Sequence, residues 1–169
     1  MPETHEEREE LRWALANLHD TFLNASMLRS LMMKEPVELG TEDAQDPRAV
    51  LGALVSRRFR LERFWVASLA VLVEAWNSEQ MASVRAFLAN VTTLDELSEV
   101  LEEARRVGAL DRIIETRHYM FHRDRREYWN DGRTGPVGIL SLNDKLHYAF
   151  STVLLAGLDA FKRPVDPAQ

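Results

Sequence analysis

The chain has 169 residues, no cysteine and a formal net charge of −6, with 46% hydrophobic and 28% charged residues. That length suits one well-packed domain and is short for two, and the composition speaks against a disordered or fibrous protein. Without thiols there is no disulfide framework, cysteine nucleophile or zinc–thiolate site, and the negative balance argues against whole-surface attraction to nucleic acid while leaving room for a local basic patch.

Any metal would need His, Asp or Glu as ligands. Lysine occurs only at Lys34, Lys145 and Lys162, so the positive charge is nearly all arginine, the residue suited to two-pronged phosphate contacts. The longest apolar run, Phe64 to Trp76, is interrupted by Glu74 and falls short of the roughly 20 residues of a membrane span. The start, Met1-Pro2-Glu3-Thr4-His5-Glu6-Glu7, is acidic and lacks the apolar stretch of a secretory signal. No membrane partner and a cytoplasmic location are expected.

Helical periodicity runs nearly throughout, with no convincing alternating pattern of a strand. The first helix is predicted over about Glu6 to Met33, burying Leu11, Leu15, Leu18, Phe22, Leu28 and Met32. A polar segment with Pro36 and Gly40 follows. Asp46 and Pro47 then have the chemistry of a cap and a first helical residue, opening a second helix that extends to about Trp76. Its core positions are Leu51, Leu54, Val55, Phe59, Leu61, Trp65, Leu69, Leu72 and Trp76, and Arg57, Arg58, Arg60 and Arg63 form a cationic stripe read as an exposed face.

Asn77 and Ser78 interrupt this helix, and a short one follows from about Glu79 to Ala89. Thr93 and Glu96 have capping-box spacing and open a helix through Leu97, Val100, Leu101 and Ala104, which Gly108 ends. The next helix runs from about Leu110 to about Tyr128. Asn130 to Pro136 reads as a loop, Ser141 or Asn143 as the cap of a last helix, and the tail from Arg163, with two prolines, as frayed. The fold class is all-α, a helical bundle of five or six helices forming one domain over residues 1–169.

One segment stands out. At about 100° per residue, Leu110, Ile113, Ile114, Met120 and Phe121 share a helix face, and Arg117 projects from its centre. A guanidinium there must find a partner. His122 points about 140° away and His118 lies one turn behind it on the same flank. One helix thus presents a fixed cation on one side and two titratable imidazoles on the next.

The run Arg117-His118-Tyr119-Met120-Phe121-His122 resembles the signature of the HEPN superfamily of small helical domains: an arginine, usually followed by Asn, Asp or His, then three residues and a histidine. The likeness extends weakly over the bundle, where a long helix with an aromatic and acidic centre, Trp65 to Trp76 around Glu74, precedes the motif helix. Many members of that superfamily are metal-independent endoribonucleases that act as homodimers, some as toxins or defence proteins. Others have lost activity and only bind.

The resemblance implies a homodimer whose motif helices meet at a two-fold axis, no cofactor, RNA as substrate, and an antitoxin or regulatory protein as a possible partner. It assigns Arg117 to the scissile phosphate, His122 to proton transfer and His118 to orientation, with Glu74 in support. Metal-free RNA cleavage needs a base for the 2′-hydroxyl and a cation for the phosphorane, and histidine titrates near neutrality. Arg123, Arg126 and Arg133 are candidate contacts to the RNA backbone, although Asp124 and Glu127 interleaved with the first two equally suit a solvated helix end.

Other readings of the same residues stay open at this stage. Arg117 is also what a core arginine paired with Glu74 would look like, without catalytic meaning. His118 and His122 have the spacing of two metal ligands on one helical turn, with Glu74, His19 or His147 as further donors. The chain is also consistent with a non-catalytic helical dimerisation or adaptor module that binds a partner protein or RNA.

Overall fold

The computed structural model describes residues 4–35, 46, 56–122 and 136–162, apart from the side chains of Tyr119, Phe121, His122 and 136–140. Six α-helices and one short 3-10 turn account for most of these residues, with no strand among them. They are α1 (His5–Met32), α2 (Arg57–Asn77), α3 (Ala82–Val91), α4 (Asp95–Arg106), α5 (Ala109–His122) and α6 (Pro136–Lys162), with the 3-10 turn Glu79–Met81 between α2 and α3. The all-α bundle expected from periodicity is what forms.

Each helix turns one apolar stripe inward. Leu11, Leu15, Leu18, Phe22 and Met32 of α1 meet Trp65, Leu69, Leu72 and Trp76 of α2 in one core, which also takes in Val84 and Leu88 of α3 and Leu97 and Leu101 of α4. Ile113 of α5 and Leu146, Phe150 and Leu154 of α6 complete it. A fully buried Leu or Val contributes about 1.5–3 kcal/mol, so this shared core dominates over any single polar contact. Both α1 and α5 pack on α2, and α6 closes the bundle against α1, α3 and α4. Trp76 and Phe150 meet edge to face at 5.7 Å between ring centres, a favoured aromatic geometry.

Several boundaries follow local chemistry that periodicity does not show. Thr4 and Glu7 form a reciprocal capping box at the start of α1, each backbone N–H donating to the other side chain at 3.2 Å. The expected continuous helix from Pro47 is broken at Ser56, whose backbone is extended (φ −62°, ψ 154°) and whose hydroxyl accepts from the Phe59 N–H at 3.1 Å. Positions 47–55 lie outside the described residues, as do 123–135 and the tail from Arg163.

The Thr93–Glu96 capping box does not form. Leu94 stands at the cap of α4, and Thr93 Oγ1 instead accepts from the Asp95 N–H at 3.2 Å. Gly108 does end α4, at φ +70°, with its N–H donating to the Arg105 carbonyl at 3.1 Å. The last helix starts at Pro136 instead of being capped by Ser141 or Asn143. Proline has the fixed φ and missing donor that a first helical position accepts. Asn143 lies one and a half to two turns inside α6 and is 1% exposed.

Candidate functional site

The site is built on α5 where it packs against α2. Ile113 and Leu110 are buried and Ile114 is partly buried, so the apolar face identified in the sequence sets the rotation of α5 and brings Arg117 against α2. There Arg117 Nη1 pairs with Glu74 Oε2. The two side chains keep 26% and 34% of their surface exposed. The pair therefore sits at the rim of the core, and the guanidinium is neutralised without being sealed from solvent. A guanidinium offers five N–H donors in a fork, more than one carboxylate accepts.

His118, the next residue, is exposed on the flank of α5. His122 is the last residue of α5, with its side chain outside the described residues. Arg123, Arg126 and Arg133 also lie outside them. The structure thus brings Arg117 and Glu74 together and puts His118 beside them on α5.

A cleft of about 460 Å³ opens next to the pair, lined by Val73, Glu74 and Asn77 of α2, Arg105 of α4, and Leu110 and Asp111 of α5. Glu74 belongs both to this cleft and to the ion pair. Ser78, which also lines the cleft, is tied to α3 by Arg85, whose Nη1 donates to the carbonyls of Trp76 and, at 2.9 Å, Ser78. These bonds satisfy carbonyls at the C-terminus of α2 that the helix itself leaves unpaired. Arg105 and Asp111 carry no signal in the sequence, because their relation to Glu74 arises only when three helices meet.

The cationic stripe at the start of α2 is in part a structural clamp. Arg58 Nη1 donates to the carbonyls of Met32 (3.1 Å) and Glu35 (2.7 Å), closing the end of α1. Arg57 pairs with Glu35 at 3.3 Å, and the Arg63 guanidinium lies 5.1 Å from the centre of the Phe59 ring. Burial pushes the Glu62 carboxyl above its ordinary range, against the pull of Arg58 and Arg63. Arg60, by contrast, is exposed.

A second polar cluster joins α1 to α6. Arg29 Nε donates to Asp144 Oδ1 at 2.7 Å and its guanidinium lies 5.0 Å from the Tyr148 ring centre. Beneath them His147 is buried, with Nε2 3.3 Å from Ser26 Oγ and its ring 4.9 Å from that of Phe22. Burial, aided by the Arg29 charge and partly opposed by Asp144, lowers its pKa to about 4. His147 is therefore a neutral core residue, 6.2 Å from the Trp65 ring. Glu74 is committed to Arg117, and among the described residues no group of three or more His, Asp and Glu is placed to hold a metal ion.

No helix among the described residues is long and apolar enough to cross a membrane. No known protein family, curated protein or solved structure matches this chain.

Proposed function

We propose that this protein is a HEPN-like, metal-independent endoribonuclease of the toxin or defence type that acts as a homodimer. The observation that supports this reading best is the partly exposed Arg117–Glu74 pair: a carboxylate on α2 fixes the guanidinium at the surface of the helix that ends in His122. In this reading His122 takes the proton from a 2′-hydroxyl, whose oxygen attacks the adjacent phosphorus. The 5′-oxygen leaves with a proton, producing a 2′,3′-cyclic phosphate and a 5′-hydroxyl. Arg117 stabilises the charge that builds on the phosphorane oxygens, His118 orients the phosphate or His122, and Glu74 aims Arg117.

The test is incubation of purified protein with labelled RNA in EDTA, beside Arg117→Ala and His122→Ala. Cleavage by the wild type that both variants lose supports the proposal. No cleavage by the wild type overturns it. A second reading, a non-catalytic dimerisation or adaptor module, is favoured by the fact that Glu74 already neutralises Arg117. It predicts that Arg117→Ala unfolds the protein or disrupts its dimer while no nuclease activity is seen.

A further inference from the structure

The first helix is apolar on two sides. Its inner face is the core stripe, and its outer face carries Trp13, Leu23 and Met27, which are 68%, 48% and 57% exposed. These three fall on a seven-residue repeat: Trp13, Asp20 and Met27 occupy one position of it and Ala16, Leu23 and Ser30 the other, and all six are exposed. That is the spacing of a coiled-coil seam. The same seam continues into Glu9 at one end and Lys34 just past the other.

We propose that this seam binds a second copy of the chain, antiparallel, across a two-fold axis between Asp20 and Leu23. In that register large side chains meet small ones: Trp13 faces Ser30 of the second copy, Met27 faces Ala16 and Leu23 faces Asp20. Each end closes with opposite charges, Glu9 facing Lys34. A parallel pairing instead stacks Trp13 on Trp13 and Glu9 on Glu9. Glu9 lies 3.7 Å from Arg12 of its own helix, an exposed pair worth little that leaves it able to engage Lys34. The two Asp20 carboxylates near the axis weaken the contact and select the register, as single polar residues do in coiled-coil seams.

This surface lies on the outer side of α1, whereas Arg117 is on α5, which packs on α2 and α4. The inference therefore does not rest on the nuclease reading.

Because the chain contains no cysteine, introduced thiols report the register directly. Equimolar Ala16→Cys and Met27→Cys proteins are mixed and oxidised mildly. The expected product is the mixed disulfide dimer, well in excess of either homodimer. In this register two copies of either position are offset by 11 residues, about 16 Å along the helices, beyond the reach of a disulfide.

Glu9→Lys or Lys34→Glu, added to both partners, is expected to lower the cross-linking yield about five-fold, and the two together to restore it. Asp20→Leu is expected to raise it. Homodimers in excess, or a mixed dimer no more abundant than with Ser83→Cys as an off-seam control, overturn the proposal. RNA cleavage by the same proteins is read separately, so failure of the seam and failure of the nuclease reading are distinguishable.

Discussion

Replacing His147 by leucine is expected to remove a defined part of the acid sensitivity of folding. The ring is 6% exposed, enclosed by Phe22 and Trp65, and its only side-chain hydrogen bond partner among the described residues is Ser26 at 3.3 Å. Its pKa lies at about 4 in the fold against 6.5 ordinarily. Between these values the unfolded chain binds more protons than the folded one, so stability is lost as pH falls through this window. The linkage costs about 2 kcal/mol at pH 5 and about 3 kcal/mol once both states are protonated.

Urea unfolding of the wild type and His147→Leu at about pH 7.5, 6 and 5 measures this, and groups unaffected by the substitution cancel in the difference. The wild type is expected to lose about 2 kcal/mol more than the variant between the two ends of that range. A constant gap between the two proteins would refute the assignment of His147 as a buried neutral imidazole.

Other consequences follow from the same packing. A double-mutant cycle with Glu74→Gln and Arg117→Met is expected to give a coupling of about 1 kcal/mol, since both side chains are about one-quarter to one-third exposed. A coupling above about 3 kcal/mol in denaturant titrations would mark a sealed structural pair. Both Oδ1 and Nδ2 of Asn143 are buried without hydrogen-bond partners among the described residues, so Asn143→Leu is expected to stabilise the protein by about 1–2 kcal/mol, seen as a raised urea midpoint. A Cβ at Gly157 would lie 2.5 Å from Leu88 Cδ2 and 3.2 Å from Leu15 Cδ2. Gly157→Val therefore overpacks this contact and is expected to cost about 1–3 kcal/mol by thermal or urea unfolding.

The core was legible in the sequence because burial imposes a period: Leu11, Leu15, Leu18 and Phe22, or Leu146, Phe150, Val153 and Leu154, can only be one face of a helix. The pairing of Arg117 with Glu74 was also within reach, since a guanidinium in the middle of an apolar stripe needs an anion and Glu74 is the single charge in the run Phe64 to Trp76. Helix ends were less legible. Ser56 and Thr93 are both plausible caps, and only the geometry of the chain around each decides that Ser56 caps a helix and Thr93 does not.

Long-range roles left no local signature. Arg58 looks like one member of a surface stripe and closes α1 instead, His147 looks like a metal ligand and is a core ring, and Arg105 and Asp111 reach the cleft from two different helices. The outer stripe of α1 was visible in principle as Trp13, Leu23 and Met27, but the stronger inner stripe on the same helix obscures a second period.

The most direct test of the nuclease reading is the chemistry of the cut. A labelled oligoribonucleotide incubated with the wild-type protein in EDTA is expected to give 2′,3′-cyclic phosphate ends, and a single 2′-deoxy substitution at the cleaved position is expected to abolish that cut. Cleavage that survives the deoxy substitution, or that persists in Arg117→Ala and His122→Ala, would contradict the account.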